Sequence, residues 1–468
     1  MASVGATPPN IVLILTDDQD VNSTKTMPSV QTELVQEGTT FLEAFASLPM
    51  CSPARATLLT GQYAHNHGVT DNEPPDGGYG KLDHTTTLPV WLQASGYYTG
   101  MIGRYLNKYG TTDTNTSDPI PADQEIPPGW NAWYGLIGNP GYYNYKINEN
   151  GTVKSYGASS ADYLTDVLAN QADAFLRQSI PQPFFLSVAF KGPHDGGPNT
   201  IGPTPAMRHA GKFSQFSPPR IANYNEADVA DKPAYLKALP SFTGASSPDL
   251  QLLYQRRLES LLAVDEGVQK IVNALRDTGK LNNTVIIYAS DNGWFTGEHR
   301  VGGGKGLPHE SSLQVPLIIR GPGIAKERTV SELVVNVDLA PTIVELAGAT
   351  ANVTRTMDGQ SLVPLLTWTP TSWRTAFLIE SPPVFTSGKY TISDDKHFVD
   401  NVPIFQGVRT DQYVYVEYAN AERELYDLKR DPYQLKNEEQ NPVYAVVRSD
   451  LQARLGTLMA CAGANCWQ

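Results

Sequence analysis

The chain has 468 residues, of which 40% are hydrophobic and 18% are charged, and its formal net charge is −13. This length exceeds the usual limit for a single core and predicts two unequal domains. The acidic balance excludes a general nucleic-acid binder, which needs a basic surface. No apolar run approaches the roughly 20 residues of a spanning helix, and the first ten residues lack the pattern of a signal peptide.

Two kinds of apolar segment alternate along the first 370 residues. Runs typical of buried strands lie at 10–16, 98–105, 183–190, 283–290 and 315–323. Segments with helical spacing lie at 28–38, 87–97, 161–178, 250–279 and 337–349. This alternation predicts an α/β fold with a mostly parallel central sheet covered by helices on both faces.

The character of the sequence changes after about residue 370. Short strand-like segments at 403–410, 412–419 and 424–428 have tight connections, and a helix is predicted at about 441–459. We therefore expect a catalytic domain at 1–370 and a smaller α+β subdomain with an antiparallel sheet at 371–468.

Three cysteines are present, and two of them lie close together at the C-terminal end of the sequence. The spacing of Cys461 and Cys466 favours a small disulfide loop, which is typical of an oxidising compartment. The alternative is a pair of reduced thiols in a loose tail. Either way, Cys51 has no obvious partner.

Acidic and amide side chains follow two of the predicted strands. Asp17 and Asp18 follow the first, and Asp291 and Asn292 follow the strand at 283–290. In an open α/β sheet, ligands bind beyond the carboxyl ends of the strands. Four hard oxygen donors at two such ends predict a site for Ca²⁺ or Mg²⁺, although each pair alone also fits a turn or a helix cap.

The segment CSPARATLLTG, residues 51–61, places a lone thiol where a helix is predicted to begin. Pro53 restricts the backbone, Arg55 supplies a permanent charge, and Gly61 ends the helix. Anions are favoured at a helix entrance. A cysteine nucleophile also needs a positioned histidine with a supporting residue, and the local sequence matches no such signature.

This segment resembles the Cys-x-Pro-x-Arg signature of the type I sulfatases. PNIVLILTDDQD and SDNGWFTGEHR are similar to the two metal strands of that family, and ELYDLKRDPYQLKN is similar to its C-terminal sheet. IGRYLNKYG, YYNY and DYLTDVLAN resemble the branch with the N-acetylglucosamine-6-sulfatases and arylsulfatases. The resemblance spans roughly residues 9 to 440 and implies an alkaline-phosphatase-like fold.

In that family, a formylglycine-generating enzyme oxidises the signature cysteine, here Cys51, to Cα-formylglycine. The resemblance implies that the hydrated aldehyde attacks sulfur with one hydroxyl group. Its second hydroxyl lets the sulfated intermediate collapse, which releases sulfate and restores the aldehyde. A serine could accept sulfate but could not eliminate it in this way, and this explains a thiol precursor.

The resemblance also assigns roles to individual residues. The implied metal ligands are Asp17, Asp18, Asp291 and Asn292, joined by residue 51, with Ca²⁺ expected and Mg²⁺ as the alternative. Arg55 would steady the hydrated aldehyde. His194 would protonate the leaving oxygen, and Lys305 would bind a sulfate oxygen.

One position departs from the family. Arg104 stands where the family has a lysine; it keeps the charge but does not readily donate a proton. A histidine found nearby in many relatives is also missing, and Asn107 is the nearest polar substitute. The group that assists collapse of the sulfated intermediate is therefore left open.

Several other residues favour a structural interpretation. His65 and His67 are expected to pack within the fold or a loop, and Asp265 is expected to be structural within its long helix. Lys191 is expected to be a solvated neighbour of His194. Packing is favoured over ring stacking on a substrate for three tyrosines: Tyr142, Tyr143 and Tyr145.

The predicted function is hydrolysis of aryl or sugar sulfate monoesters, with N-acetylglucosamine 6-sulfate as a candidate substrate. Loops at 71–84, 111–145 and 191–220 are expected to form the pocket rim. One alternative is a phosphonate or phosphate ester hydrolase of the same superfamily. Another is a non-catalytic protein that binds sulfated carbohydrate with an unmodified Cys51. The expected location is secreted, periplasmic or lysosomal, with neither a membrane nor a nucleic-acid partner.

Overall fold

A computed structural model describes residues 8–111, 120–197, 200–243, 247–367, 372–383, 399 and 401–468. The strands are β1 (Asn10–Thr16), β2 (Thr39–Phe41), β3 (Ala44–Phe45), β4 (Tyr98–Gly103), β5 (Ala132–Leu136), β6 (Lys146–Glu149), β7 (Thr152–Ser155), β8 (Phe184–Ala189), β9 (Thr284–Ser290), β10 (Leu317–Arg320), β11 (Arg328–Val330), β12 (Val334–Val335), β13 (Ala376–Glu380), β14 (Phe405–Thr410), β15 (Tyr413–Tyr418) and β16 (Arg423–Asp427).

The helices are α1 (Pro28–Val30), α2 (Cys51–Thr60), α3 (Ala64–His67), α4 (Leu88–Ala94), α5 (Leu164–Leu176), α6 (Ala234–Lys237), α7 (Ser247–Asp277), α8 (Glu310–Leu313), α9 (Leu339–Leu346), α10 (Val363–Thr367) and α11 (Ala445–Leu458). The helix predicted at 28–38 is α1 followed by a π-helical turn at Gln31–Val35. Across the ranges given above, none of the helices is both long enough and apolar enough to cross a membrane.

Within the described residues, ten strands form one sheet in the order β11-β2-β10-β9-β1-β8-β4-β5-β6-β7. Its centre, β9-β1-β8-β4-β5, is parallel throughout, and antiparallel pairs flank it on both sides. The predicted α/β fold with a mostly parallel centre is confirmed. The carboxyl ends of β9, β1, β8 and β4 therefore meet along one edge of the sheet.

The apolar run of β1 explains why the sheet is covered on both faces. Ile11, Leu13 and Leu15 belong to an apolar cluster with side chains of α2, α4 and α9. Val12 and Ile14 belong to another cluster with side chains of α5 and α7. Successive strand residues point to opposite faces, so a continuous apolar run produces a strand buried on both sides.

A second, antiparallel sheet, β13-β14-β15-β16, lies toward the C-terminal end, and α11 buries Leu451, Leu455 and Leu458 in the same apolar cluster. Cys461 and Cys466 form the predicted disulfide. The buried side chains of Arg374 and Asp338 join the two parts by an ion pair, with Nη2 and Oδ1 2.7 Å apart. The domain boundary predicted near 370 lies outside the described residues, and that division stays a prediction.

Candidate active site

The two acidic pairs meet at the shared edge of the central sheet. β1 and β9 are parallel neighbours, with Thr16 opposite Ser290, so the residues that follow them emerge side by side. Carboxylate oxygens of Asp17, Asp18 and Asp291 lie within 4.8 Å of one another. Asp18 adopts a left-handed backbone with φ of 67°, and its N–H donates to Asp291 Oδ1 at 3.1 Å.

Cys51 is the first residue of α2 and lies beside these acids. The helix ends at Gly61, whose φ of 68° is readily adopted by glycine. Cys51 Sγ lies 3.5 Å from Asp17 Oδ1 and 2.7 Å from Lys305 Nζ. Burial raises the pKa of the Cys51 thiol to about 12, so the unmodified thiol stays protonated at neutral pH and is a poor nucleophile.

Two buried guanidinium groups balance the acids. Arg55 donates from Nε to Asp291 Oδ2 at 2.9 Å and from Nη2 to Asp17 Oδ2 at 3.1 Å. Arg104 also pairs with Asp17 Oδ2. Burial alone would raise the pKa of Asp17, but Arg104 and the other cations around it hold that pKa well below its usual range.

Two oxygens of the cluster are buried and have no hydrogen-bond partner among the described residues: Asp18 Oδ2 and Asn292 Oδ1. Asp18 Oδ1, in contrast, accepts from Asn292 Nδ2 at 2.7 Å and pairs with Lys305. A buried oxygen without a partner costs free energy. Carboxylate and amide oxygens are the donors that Ca²⁺ and Mg²⁺ prefer, so these residues fit such a cation.

His194 reaches the same place from the end of β8. Its Nε2 lies 3.8 Å from Asp18 Oδ2, and its Nδ1 lies 3.1 Å from Lys191 Nζ and 3.2 Å from Asp195 Oδ1. The expectation that Lys191 is solvated is wrong, because this residue is only 1% exposed. The Gly192 carbonyl accepts from the Asp17 N–H, so the segment that follows Lys191 is held against the end of β1.

A polar chain surrounds the start of α2. Arg104 Nη2 donates to Asn107 Oδ1 at 3.3 Å, and the Asn107 N–H donates to Ser52 Oγ at 2.9 Å. The Ser52 N–H donates to Asn72 Oδ1 at 2.8 Å. The sequence singled out Asn107 but neither Ser52 nor Asn72; the only signals were the adjacency of Ser52 to Cys51 and the long loop that holds Asn72.

The residues expected to be structural form hydrogen bonds or stack on rings within the protein. His65 Nδ1 lies 2.8 Å from Glu380 Oε1, and His67 Nε2 lies 3.0 Å from Thr57 Oγ1. Asp265 accepts from the first backbone N–H groups of α1, those of Ser29 and Val30. Tyr142 and Tyr145 stack on other tyrosine rings of the protein.

The structure thus brings together every residue that the sequence placed in the site: Asp17, Asp18, Cys51, Arg55, Arg104, His194, Asp291, Asn292 and Lys305. Hard oxygens suited to a cation lie beside residue 51, and the cationic groups of Lys305, Arg55 and Arg104 lie in the same cluster. Such a set can bind a tetrahedral oxyanion and stabilise charge that develops on its oxygens. Parts of the predicted rim, residues 112–119 and 198–199, lie outside the described residues.

Comparison with known proteins covers nearly the whole chain. Residues 9–349 match a family model described as Sulfatase, and residues 297–460 match one described as N-sulphoglucosamine sulphohydrolase, C-terminal. The N-acetylglucosamine-6-sulfatase of Homo sapiens is 34% identical over 496 residues, which cover 99% of this chain and 87% of that protein. The extracellular sulfatase SULF-1 homolog of Drosophila melanogaster is 39% identical over 80% of this chain, which spans only 33% of that relative.

Solved structures with related sequences share the fold. A protein in complex with its substrate D-glucosamine-2-N,6-O-disulfate has a TM-score of 0.77 and 26% identity, with 96% of this chain and 97% of that chain covered. The phosphonate monoester hydrolase of Agrobacterium radiobacter has a TM-score of 0.72 and 25% identity, covering 97% and 95%. The expected alkaline-phosphatase-like architecture is confirmed by these matches.

His67, which contacts Thr57 of α2, should make the stability of the folded protein depend on pH. Burial lowers its pKa to about 3, and its Nδ1 accepts from the Val69 N–H. As pH falls below about 6.5, the unfolded chain binds a proton at His67 and the folded chain does not. The free energy of unfolding should therefore fall more steeply with acidification in the wild type than in His67→Asn, by about 1.4 kcal/mol per pH unit between about pH 5.5 and 4. Urea denaturation at several pH values measures this difference.

His65→Asn is the matched control, and the pH dependence it removes should have the opposite sign and lie above about pH 6.5. Burial lowers the pKa of His65, but the hydrogen bond and charge of Glu380 outweigh it and raise that pKa above 6.5. His65 therefore stabilises the folded protein below that pH, and its contribution is lost as pH rises through the folded pKa. Parallel stability curves for the wild type and His67→Asn would contradict the assignment.

Proposed function

Since the chain belongs to the sulfatase family, we propose that it hydrolyses sulfate monoesters with residue 51, converted to formylglycine, as nucleophile beside a divalent cation. The observation that supports this most directly is the position of Cys51. Its sulfur lies 2.7 Å from the ammonium of Lys305 and 3.5 Å from a carboxylate oxygen of Asp17. The same cluster offers two hard oxygens that have no hydrogen-bond partner in the described part of the chain.

The proposed cation is Ca²⁺, with Mg²⁺ as the alternative, and its ligands would be Asp17, Asp18, Asp291 and Asn292 together with residue 51. When bound, it would supply positive charge that favours the ionised nucleophile and offsets the charge of the sulfate group. As formylglycine hydrate, residue 51 would supply one hydroxyl for attack and a second for release of sulfate. The maturation partner would be a formylglycine-generating enzyme.

The remaining side chains would bind and orient the ester. Lys305 and Arg104 would bind sulfate oxygens, and Arg55 would hold residue 51 and the acids in place through its bonds to Asp17 and Asp291. His194, with Nε2 directed at the cluster, would donate a proton to the leaving oxygen. Charge that spreads over the sulfuryl oxygens would then face fixed cations rather than water.

The proposed substrate class is a 6-sulfated glucosamine or a related sugar sulfate, with aryl sulfates as general substrates. This rests on the similarity to the N-acetylglucosamine-6-sulfatase and to the structure that contains D-glucosamine-2-N,6-O-disulfate. The proposed location is secreted, periplasmic or lysosomal. A disulfide and an extracellular relative support that proposal.

The similarity to a phosphonate monoester hydrolase favours one second candidate, hydrolysis of phosphonate or phosphate esters. Parallel assays with the sulfate and phosphate esters of one phenol separate the two functions. A preference for the sulfate ester would support the proposed function. A preference for the phosphate ester would instead support this second candidate.

The identity of residue 51 as the nucleophile can be tested directly. The peptide that contains position 51, from protein made in its native host, should have the mass of the aldehyde or its hydrate rather than of the thiol. Cys51→Ala should fold with an unchanged circular dichroism spectrum and lose turnover by at least about a thousandfold, since the nucleophile is gone. An unmodified thiol in fully active protein, or ample turnover in Cys51→Ala, would contradict the formylglycine mechanism.

Cation binding by these residues can be tested through the stability of the folded protein. Chelator-treated protein should gain about 2.7 kcal/mol of unfolding free energy in Ca²⁺ at 100 times the dissociation constant, because only the folded state holds the assembled site. Asn292→Ala should need more Ca²⁺ for the same gain. Asn107→Ala, in the same site but outside the oxygen set, should respond as the wild type does. Thermal unfolding against Ca²⁺ and Mg²⁺ concentration measures this, and equal responses in all three proteins would contradict the ligand set.

A further inference from the structure

Lys191 is a buried cation to which the proposed mechanism gives no role. Its side chain is fully enclosed, and it lies just beyond the carboxyl end of β8, next to β1. An ammonium group out of water costs free energy unless its hydrogens meet good acceptors. Lysine is seldom fully buried without such partners. The groups that contact Lys191 therefore indicate its role.

The contacts of Lys191 include one ring nitrogen of His194 and therefore bear on the tautomer of that histidine. Lys191 Nζ donates to Asn139 Oδ1 at 2.8 Å and lies 3.1 Å from His194 Nδ1. An ammonium group only donates, so a hydrogen bond from Lys191 Nζ to His194 Nδ1 requires the tautomer without a proton on Nδ1. The proton of the neutral imidazole then sits on Nε2, 3.8 Å from Asp18 Oδ2 and on the side of residue 51.

Asp195, in contrast, favours the tautomer that carries a proton on the same nitrogen, Nδ1. Its Oδ1 lies 3.2 Å from His194 Nδ1 and would accept a proton carried there. Lys191 Nζ and Asp195 Oδ1 are 3.9 Å apart. His194 Nδ1 is therefore placed between a donor that suits its bare form and an acceptor that suits its protonated form.

We propose that Lys191 positions His194 and relays a proton through it during sulfate ester hydrolysis, an inference that rests on the proposed function. As the Nε2–H bond breaks and an O–H bond forms on the leaving alcohol, an Nζ–H bond of Lys191 breaks and a bond forms between that proton and Nδ1. The imidazole stays neutral throughout, and Asp195 accepts from the new Nδ1–H. The starting state is restored when Nε2 takes a proton from solvent and Nδ1 returns its proton to the neutral amine of Lys191.

Two observations support lysine in this role. Burial lowers the pKa of Lys191 to about 8, so its ammonium gives up a proton more readily than that of an exposed lysine. Arg104, a buried cation that pairs with Asp17, cannot do so because a guanidinium group stays protonated. The backbone of the turn is also fixed, since the His194 N–H donates to the Lys191 carbonyl at 2.9 Å and Tyr142 Oη donates to the His194 carbonyl at 2.7 Å.

The hydrogen bond can be tested without turnover by nitrogen NMR of the full chain labelled at histidine, with His194 assigned from its missing signal in His194→Ala. The wild type should carry the neutral proton on Nε2, and Lys191→Met should shift it to Nδ1, toward Asp195. Lys212→Met is the matched control, because the exposed Lys212 lies 3.0 Å from His209 Nδ1; it should leave His194 unchanged. The same His194 tautomer in Lys191→Met and the wild type would overturn the positioning role.

The relay is tested by the dependence of kcat/KM on the leaving group. Lys191→Met should slow phenyl sulfate by about a hundredfold and 4-nitrophenyl sulfate by less than about threefold, because a good leaving group needs little proton help. Lys191→Met combined with His194→Ala should be no slower than His194→Ala alone. Lys191→Arg should keep the Nε2 tautomer but stay slow on phenyl sulfate.

The outcomes separate this inference from the function on which it rests. Equal losses on the two esters, independent losses in the double variant, or full recovery with Lys191→Arg would overturn the relay. A wild type that hydrolyses neither ester would count against the proposed function instead, and the NMR measurement would still decide whether Lys191 sets the His194 tautomer.

Discussion

The site depends on balancing charge that has been removed from water. Three carboxylates, those of Asp17, Asp18 and Asp291, are buried within a few ångströms of one another. Like charges at such distances repel strongly, and each loses its hydration. Arg55, Arg104 and Lys305 offset part of this cost. The two buried oxygens without a hydrogen-bond partner among the described residues, Asp18 Oδ2 and Asn292 Oδ1, suit a divalent cation.

The fold delivers these groups from distant parts of the sequence to one point. Four adjacent parallel strands end at the same edge: β9 leads to Asp291, β1 to Asp17, β8 to Lys191 and His194, and β4 to Arg104. The first turn of α2 then places residue 51 above that edge, where the partial positive charge of a helix start favours an anionic group. A rigid parallel sheet suits this task because no single loop could hold so many charges in register.

The cations of the site differ in what they can do with a proton. Arg55 and Arg104 are permanent charges whose several N–H groups are committed to carboxylates, to backbone carbonyls and to Asn107. Among the described residues, no carboxylate lies within hydrogen-bond distance of Lys191. Asp195 Oδ1 lies 3.9 Å from its Nζ, which contacts His194 and Asn139 instead. Arginine therefore suits the balance of charge in this site. Proton transfer needs a different group, one that can lose its proton.

Local patterns in the sequence were enough for the α/β class, the acids at two strand ends, the helix from the CSPAR segment to Gly61, and the disulfide between nearby cysteines. Each of these depends on neighbours in the chain. The short outer strand β7 was not predicted because an exposed, polar segment acquires strand structure only from pairing. The burial of Lys191, its contact with His194 and the bond from Ser52 to Asn72 were likewise decided by tertiary structure. Whether a lysine is solvated depends on what packs over it, and here segments distant in the sequence close around the end of β8.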